Sequence, residues 1–269
     1  MKISKSKKGS ELLTFGGHLE VLRRMLFRVC GLAACVALFV FCFKEETFKL
    51  LLAPSEWDFV TYRWIERVIR YCGGGFHFEE FHVDLIATEL SSQFMTHGTT
   101  AIYLGLLGAS PYIVYELFRF VSPALYENEK KYSVQVVSVV YSLFIIGILM
   151  SYYVLFPVSF RFLGTYSVAE SVRSTITLDS YISTFVTLSL LMGVVFQLPV
   201  IAFFLAKMGI VNSRMLSTYR RHAFLAILII SAVITPPDIL TLVLVAIPLY
   251  LLYEISIWII RRVEKPKKA

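Results

Sequence analysis

Apolar residues occur in six long stretches along this chain, separated by shorter polar segments. A helix needs about 20 mostly apolar residues to cross a bilayer. The six stretches lie at residues 25–43, 99–121, 133–156, 181–206, 222–235 and 239–260. The fifth is short, so we expect a thinned bilayer around it. The pattern predicts an all-α integral membrane protein with about six transmembrane helices in a single polytopic domain, residues 1–269.

The segments between the stretches support this organisation. Pro236, Pro237 and Asp238 separate the last two stretches, and because consecutive prolines do not continue a helix, we expect a tight hairpin there. The first stretch follows basic residues and lacks a small-residue cleavage site, which indicates a retained anchor rather than a signal peptide. Residues 1–24 are predicted to be an amphipathic cytoplasmic segment and residues 261–269 a basic tail.

The first loop, residues 44–98, mixes apolar residues with many carboxylates. A mixture of this kind is typical of short amphipathic helices that lie at a membrane surface. We therefore expect such helices over the outer mouth of the bundle.

Composition and charge fix the orientation of this arrangement. The chain is 57% hydrophobic and only 17% charged, which excludes an ordinary soluble domain. Of its 26 lysine and arginine residues, 19 lie on the side of the two termini and 7 on the other side. Because positive charge stays inside, both termini are predicted to be cytoplasmic and the protein to lie in the cytoplasmic (inner) membrane. The net charge of +7 is explained by topology and contacts with membrane lipid, and we expect no nucleic-acid partner.

Motifs of soluble enzymes are absent from the sequence. It has no H-E-x-x-H, no nucleophile elbow and no Walker motif, and its histidines share no metal-ligand spacing. We expect no catalytic residue, no metal and no cofactor. An intramembrane enzyme is disfavoured because no nucleophile–base pair can be named.

The segment before the first stretch has an apolar stripe on one helical face. Residues of the stripe recur at i, i+4, i+7 and i+11: Phe15, Leu19, Leu22 and Leu26. Glu20 lies on the other side together with Arg23 and Arg24. Two interpretations are open: a surface anchor with a local ion pair, or a charged binding surface.

The loop after the second stretch, FRFVSPALYENEKK at residues 118–131, combines aromatic residues with carboxylates. Pro123 ends the preceding helix, and spanning helices hold the loop at both ends, which suits a preorganised binding surface. Alternatively, Glu127 and Glu129 merely pair with the following lysines in water, which contributes little.

Two polar residues lie within the apolar stretches, Gln197 in the fourth and Glu254 in the sixth. Glu254 precedes Arg261 by seven residues, which is roughly 10 Å along a helix. An ionisable group at that depth is unfavourable unless it is paired, protonated or faces a polar cavity. Both a functional role and hydrogen bonding between helices remain open.

Several stretches resemble one family. They are HLEVLRRML at residues 18–26, IATE at 86–89, FVSPALY at 120–126 followed by Glu129, FQLPV at 196–200, MGI at 208–210, TPPD at 235–238 and LYE at 252–254. Together they resemble the TatC family, the multi-spanning subunit of the twin-arginine protein translocase.

This resemblance implies a receptor for signal peptides that carry consecutive arginines on folded export substrates. Glu129 matches the family's loop carboxylate. By the same resemblance, further signal-peptide contacts are assigned to Glu20, Glu127, Arg23, Phe120, Pro123, Leu125 and Tyr126. A carboxylate suits this role because its two oxygens can accept two parallel N–H hydrogen bonds from one guanidinium group. The resemblance also implies export driven by the proton motive force, and the sequence has no nucleotide motif.

The resemblance also assigns partner contacts and reveals two departures. Gln197 and Glu254 would face single-span TatA/TatB-like subunits within a self-associating receptor complex, while Glu89 and Asp238 would lie on the outer side. The family's first carboxylate would fall at Val21, and here Glu20 stands one position earlier. Gln197 replaces a frequent glutamate and lacks its charge.

A proton-coupled small-solute transporter that uses Glu254 is the alternative function. Such proteins are typically built from inverted repeats with broken helices that meet at the midplane. No repeat of this kind is visible in the sequence.

Overall fold

A computed structural model describes residues 15–71, 81, 83–121, 133–167, 169, 175–235 and 238–264. The described chain is mostly helical. Its helices are α1 (Phe15–Cys42), α2 (Lys44–Leu52), α3 (Val60–Tyr71), α4 (Ser92–Val121), α5 (Ser133–Met150), α6 (Phe156–Thr165), α7 (Leu178–Val195), α8 (Leu198–Lys207), α9 (Ser213–Thr218), α10 (Arg220–Ile234) and α11 (Ile239–Val263).

The prediction of an all-α membrane protein is confirmed. In the described residues, four helical stretches are long and apolar enough to cross a membrane: Leu19–Cys42, Val137–Thr165, Leu178–Lys207 and Ile239–Arg262. Helix α4 has 30 residues and α10 has 15, and they correspond to the second and fifth apolar stretches. At 1.5 Å per residue α10 is only about 22 Å long, shorter than a hydrocarbon core of about 30 Å.

The helix of the third apolar stretch was predicted to end at residue 156. In the structure it is longer and ends at Thr165. A wide π turn at Ser151–Leu155 joins α5 to α6, and the helix then runs on to Thr165. Pro157, which has no backbone N–H, directly follows the π turn, where the regular α-helical hydrogen bonding is already interrupted.

Helices α1 and α4 pack closely because small residues line their contact. A Cβ atom on Gly105 would lie 2.7 Å from the Cβ of Ala37 and 2.8 Å from the carbonyl oxygen of Ala33. Ala101 and Ala109, one turn to either side of Gly105, are both buried. Small residues at a spacing of four let helix backbones approach closely in membranes.

The hydrophobic core is centred on α7 and the π turn beside it. The largest fully buried side chains include Leu155, Phe156, Tyr181, Leu188 and Met192. The Tyr181 ring meets the Phe156 ring edge-on, with 4.9 Å between the centroids. This geometry is favourable for aromatic pairs. The pair lies in the half of the bundle nearer the first loop, residues 44–98, which is called the outer half below; the half nearer the two termini is called the inner half.

On the outer side, tyrosine hydroxyls attach the first loop to the spanning helices. The Tyr62 hydroxyl of α3 lies 2.9 Å from the carbonyl oxygen of Pro157 and 3.1 Å from that of Pro54, so its single hydrogen is shared between the two acceptors. Tyr181 donates to the carbonyl oxygen of Leu51 at 2.9 Å, and Tyr152 to that of Leu50 at 2.8 Å. Burial raises the pKa of the Tyr62 hydroxyl, which therefore remains a donor at any physiological pH.

A two-residue parallel strand pair, which the sequence did not predict, also joins outer segments. Leu85–Ile86 (β1) lies beside Ile176–Thr177 (β2). The second strand leads directly into α7, whose first turn is capped by the Thr177 side chain accepting from the Ser180 backbone N–H at 3.2 Å. The predicted amphipathic loop helices are present as α2 and α3.

Candidate functional site

An ion pair connects α1 to α4 in the inner half of the bundle. Arg28 Nη1 donates to Glu116 Oε1 at 3.0 Å, and the Tyr112 hydroxyl donates to the same oxygen at 2.8 Å. Glu116 is only 5% exposed. Both donors satisfy the buried carboxylate, so these three side chains form a polar link between helices that otherwise meet through small apolar residues.

Sequence reasoning missed this link. Glu116 lies within the second apolar stretch and Arg28 within the first, and only Gln197 and Glu254 were selected as intramembrane polar residues. The signal was available, because any ionisable residue in a spanning segment is a candidate for function or pairing. Their partnership was not readable from spacing, since 88 positions separate them.

The pair sets the relative heights of the inner ends of α1 and α4. Glu20 precedes Arg28 by eight residues, about 12 Å along α1, and Val121 follows Glu116 by five residues, about 7.5 Å along α4. The two helices run in opposite directions, so both intervals point to the inner side. Glu20 on α1 and Val121 at the end of α4 therefore lie within about one helical turn of each other in height.

Glu20 is available at this end of α1. Its carboxylate accepts from Arg24 Nε at 3.1 Å, one turn along the helix, and both side chains are exposed. Arg23 and Val21 are exposed on the same helix. An exposed i,i+4 pair contributes only about 0.3–0.5 kcal/mol, so Glu20 can exchange its partner with little loss.

The remaining predicted contacts of this group fall on the neighbouring segment. Phe120 belongs to the last turn of α4. The other five lie outside the described residues: Pro123, Leu125, Tyr126, Glu127 and Glu129.

Gln197 lies between the end of α7 at Val195 and the start of α8 at Leu198. Its backbone N–H bonds to the carbonyl oxygen of Val194 at 3.0 Å, which leaves that of Gly193 without the usual helical donor. The side-chain amide supplies this donor at 3.3 Å and also donates to the carbonyl oxygen of Val140 on α5 at 3.1 Å. Gln197 thus links two spanning helices, the second of the two interpretations left open by the sequence.

Helices α5 and α7 also approach closely beside Gln197. A Cβ atom on Gly147 would lie 2.6 Å from the carbonyl oxygen of Met192, and one on Gly193 would lie 2.7 Å from the ring of Phe144. The amide of Gln197 therefore reaches the backbone of α5 without spanning a gap.

Glu254 is ion-paired. Arg220, the first residue of α10, donates from Nη2 to Glu254 Oε2 at 2.8 Å, and the Tyr250 hydroxyl lies 3.2 Å from Oε1. The neighbouring Tyr253 hydroxyl donates to the carbonyl oxygen of Leu216 on α9 at 2.7 Å. Glu254 is therefore tolerated in the apolar stretch because it is paired. The ion pair joins α11 to the start of α10, and the Tyr253 hydroxyl joins α11 to α9.

The two outer residues do not approach this inner group. Glu89 is exposed in the turn before α4. Asp238 caps α11, since its Oδ1 accepts from the backbone N–H of Thr241 at 2.6 Å. This bond satisfies one of the free N–H groups at the helix start.

Comparisons with known proteins agree with this architecture. Residues 17–248 match the family model described as "Sec-independent protein translocase protein (TatC)". The protein of that description from a Blattabacterium species is 32% identical over 259 residues, covering 95% of this chain and 97% of the relative. Its counterpart from Campylobacter jejuni is 32% identical and covers 93% and 95%. A crystal structure of the twin arginine translocase receptor TatC superposes with a TM-score of 0.72 at 28% identity, covering 92% of this chain and 100% of that one.

Proposed function

The chain belongs to the TatC family of Sec-independent protein translocase proteins, and we propose that it recognises twin-arginine signal peptides through carboxylates at the inner ends of α1 and α4. As a family member it is the receptor subunit of the twin-arginine translocase. Glu20 on α1 and Glu129 beyond α4 are the carboxylates assigned to the arginine pair, with Glu127 as a further acceptor.

The main support for this proposal is the ion pair between Arg28 and Glu116. Two adjacent guanidinium groups need two acceptors at a fixed separation, because a planar fork binds a carboxylate best in one orientation. A buried ion pair and small-residue packing both hold α1 against α4. The heights of their inner ends are thereby fixed before a peptide arrives, which lowers the entropy lost on binding.

We further propose that both termini lie in the cytoplasm and that the protein lies in the cytoplasmic membrane. The excess of lysine and arginine on the side of the termini supports this orientation. A reporter enzyme active only outside the cytoplasm should be inactive when fused to residue 269 and active when inserted near Gly74. Activity at the C-terminus would reverse the assignment.

Single-span TatA/TatB-like subunits are the proposed partners, with export driven by the proton motive force. Helices α10 and α11 present large exposed apolar side chains such as Val233, Ile239 and Leu251, which supports contacts with single helices within the membrane. Self-association of the receptor is part of the same proposal.

The transporter alternative loses its main support. It relied on Glu254 as the residue through which protons would be coupled to solute transport. Glu254 is instead held by Arg220 at the start of α10, close to the inner end of α11.

Site-specific crosslinking tests the proposed receptor function. A photoreactive residue at position 20, 21, 127 or 129 should crosslink to a twin-arginine signal peptide. Glu129→Gln and Glu20→Gln, with crosslinkers at the other positions, should each reduce crosslinking by roughly tenfold, since a charge-assisted hydrogen bond contributes about 1.5–3 kcal/mol. Glu56→Gln on the outer side is the matched control and should leave crosslinking unchanged. A signal peptide with two lysines should bind poorly; equal binding of the lysine peptide would refute the carboxylate assignment.

A further inference from the structure

Helix α3 of the first loop has three distinct faces, and only one of them packs against the bundle. Thr61 and Tyr62 are buried. Thr61 donates from its hydroxyl to the carbonyl oxygen of Tyr153, and Tyr62 donates to that of Pro157. This packed face fixes the position of α3 on the spanning helix Val137–Thr165.

The second face is an exposed apolar stripe. Val60, Trp64, Val68 and Tyr71 recur at i, i+4, i+8 and i+11, and 62%, 64%, 43% and 95% of their surfaces are exposed. Trp57, in the turn just before the helix, is also exposed. Trp and Tyr are the residues enriched where a membrane meets water, because their rings are apolar and carry one polar group.

The third face is cationic and borders the apolar stripe. Arg63, Arg67 and Arg70 recur at i, i+4 and i+7. Arg63 pairs with Asp58, and Arg70 with Glu66 at 3.1 Å, and both guanidinium groups remain more than half exposed. Helix α3 itself carries three arginines and one glutamate, a net charge of +2, and the exposed carboxylates Glu56 and Asp58 lie just before it.

The depth of α3 follows from its attachment points. Tyr153 lies 16 residues and Pro157 lies 20 residues beyond Val137, where the apolar spanning stretch begins. At 1.5 Å per residue these positions are about 24 Å and about 30 Å along the helix. A hydrocarbon core is about 30 Å thick, so α3 lies at its outer boundary.

We propose that α3 is an interfacial helix that binds anionic phospholipid in the outer leaflet. Trp57, Trp64 and Tyr71 would lie among the upper acyl chains, and the arginine stripe would contact lipid phosphate groups. An apolar face bordered by basic residues has this binding mode at membrane surfaces. The proposal is independent of signal-peptide recognition, which is assigned to the opposite side of the membrane.

The tryptophans of the chain make this testable. There are three, Trp57, Trp64 and Trp258. Trp258 lies on α11 near the inner end, with the Arg262 guanidinium 3.8 Å from the centre of its ring. The W258F variant therefore carries tryptophan only at the α3 surface, and the variant with Trp57 and Trp64 both replaced by Phe is its control.

The experiment measures fluorescence of full-length W258F in phospholipid nanodiscs. Lipids brominated near the headgroup should quench more strongly than lipids brominated near the chain ends, and acrylamide in the buffer should quench weakly. Strong acrylamide quenching with no bromolipid quenching would overturn the proposal. Self-association would replace the proposal if brominated lipids did not quench the α3 tryptophans and a Trp64→Cys variant formed crosslinks between two copies.

Competition between brominated phosphatidylglycerol and brominated phosphatidylcholine tests the charge preference. Arg67→Gln in the W258F background should lower the relative affinity for the anionic lipid by roughly fivefold, and high salt should do the same. Arg214→Gln, an inner-side change, is the matched control. Equal quenching by the two lipids before mutation would refute the anionic preference.

Discussion

Replacing Arg28 by alanine is expected to destabilise the protein more than replacing its partner Glu116 by glutamine. Arg28→Ala leaves a 5% exposed carboxylate whose only remaining donor, among the described contacts, is the Tyr112 hydroxyl. Removing one partner of a buried pair commonly costs about 3–5 kcal/mol. Because the Arg28 side chain is itself 51% exposed, the expected loss is smaller, about 2–3 kcal/mol. Glu116→Gln retains an acceptor for both donors and should cost about 1 kcal/mol.

The double variant separates this explanation from a general weakening of α1. With arginine and carboxylate both removed, no unpaired charge remains, so Arg28→Ala with Glu116→Gln should cost only about 1–2 kcal/mol, less than the sum of the single changes. The assay is unfolding of the purified protein in a graded detergent mixture, followed by helical circular dichroism. Export of a twin-arginine reporter in a strain without its own receptor should follow the same order. If the costs of the two single variants sum to the cost of the double variant within about 0.5 kcal/mol, the two residues are not coupled and the explanation is refuted.

Further predictions concern helix contacts. Gly105→Ala should destabilise the protein by about 1–3 kcal/mol because the added Cβ overlaps α1. Gly31→Ala is the control and should not destabilise it, because the space around Gly31 is open. Equal effects of the two changes in unfolding assays would contradict close packing at position 105. Tyr62→Phe should cost about 1 kcal/mol because the hydrogen bond that its hydroxyl shares between the carbonyl oxygens of Pro157 and Pro54 is lost. It should also make the first outer loop more sensitive to protease, while Tyr71→Phe serves as the exposed control. Unchanged proteolysis of Tyr62→Phe would show that the hydroxyl does not hold the loop. Gln197→Leu should cost about 1 kcal/mol in the same unfolding assay, and a neutral result would contradict the helix-linking role.

The helical architecture was predictable because one property, apolar length, decides it. In a bilayer every backbone polar group must be satisfied internally, so a long apolar stretch has almost no alternative to a helix. The bounds were less predictable. The helix predicted to end at residue 156 runs on to Thr165, because Pro157 follows a π turn in which the regular hydrogen bonding is already interrupted.

Pairings between distant segments were not predictable, for a related reason. An apolar stretch shows that a helix forms but does not identify the neighbour against which it packs. Arg28 and Glu116 are 88 positions apart, and the strand pair β1–β2 joins two-residue segments too short to be recognised in sequence. The small residues Ala101, Gly105 and Ala109, each four apart, were the readable sign that α4 packs closely against another helix.

The described polar side chains of the inner half differ in how freely they can change partners, and this difference restricts where a peptide can bind. Glu116 and Glu254 each receive two donors, and the amide of Gln197 already joins two helices. Taking Glu116 from its donors to bind a passenger would leave a buried polar group without a partner, whereas Glu254 and Gln197 are part-buried. Glu20 has only an exposed contact with Arg24, which water can replace at almost no cost. Under the proposed recognition of a guanidinium, Arg24 would therefore be displaced from Glu20 far more easily than Arg28 from Glu116, with the buried carboxylate holding the helices and the exposed one available for binding.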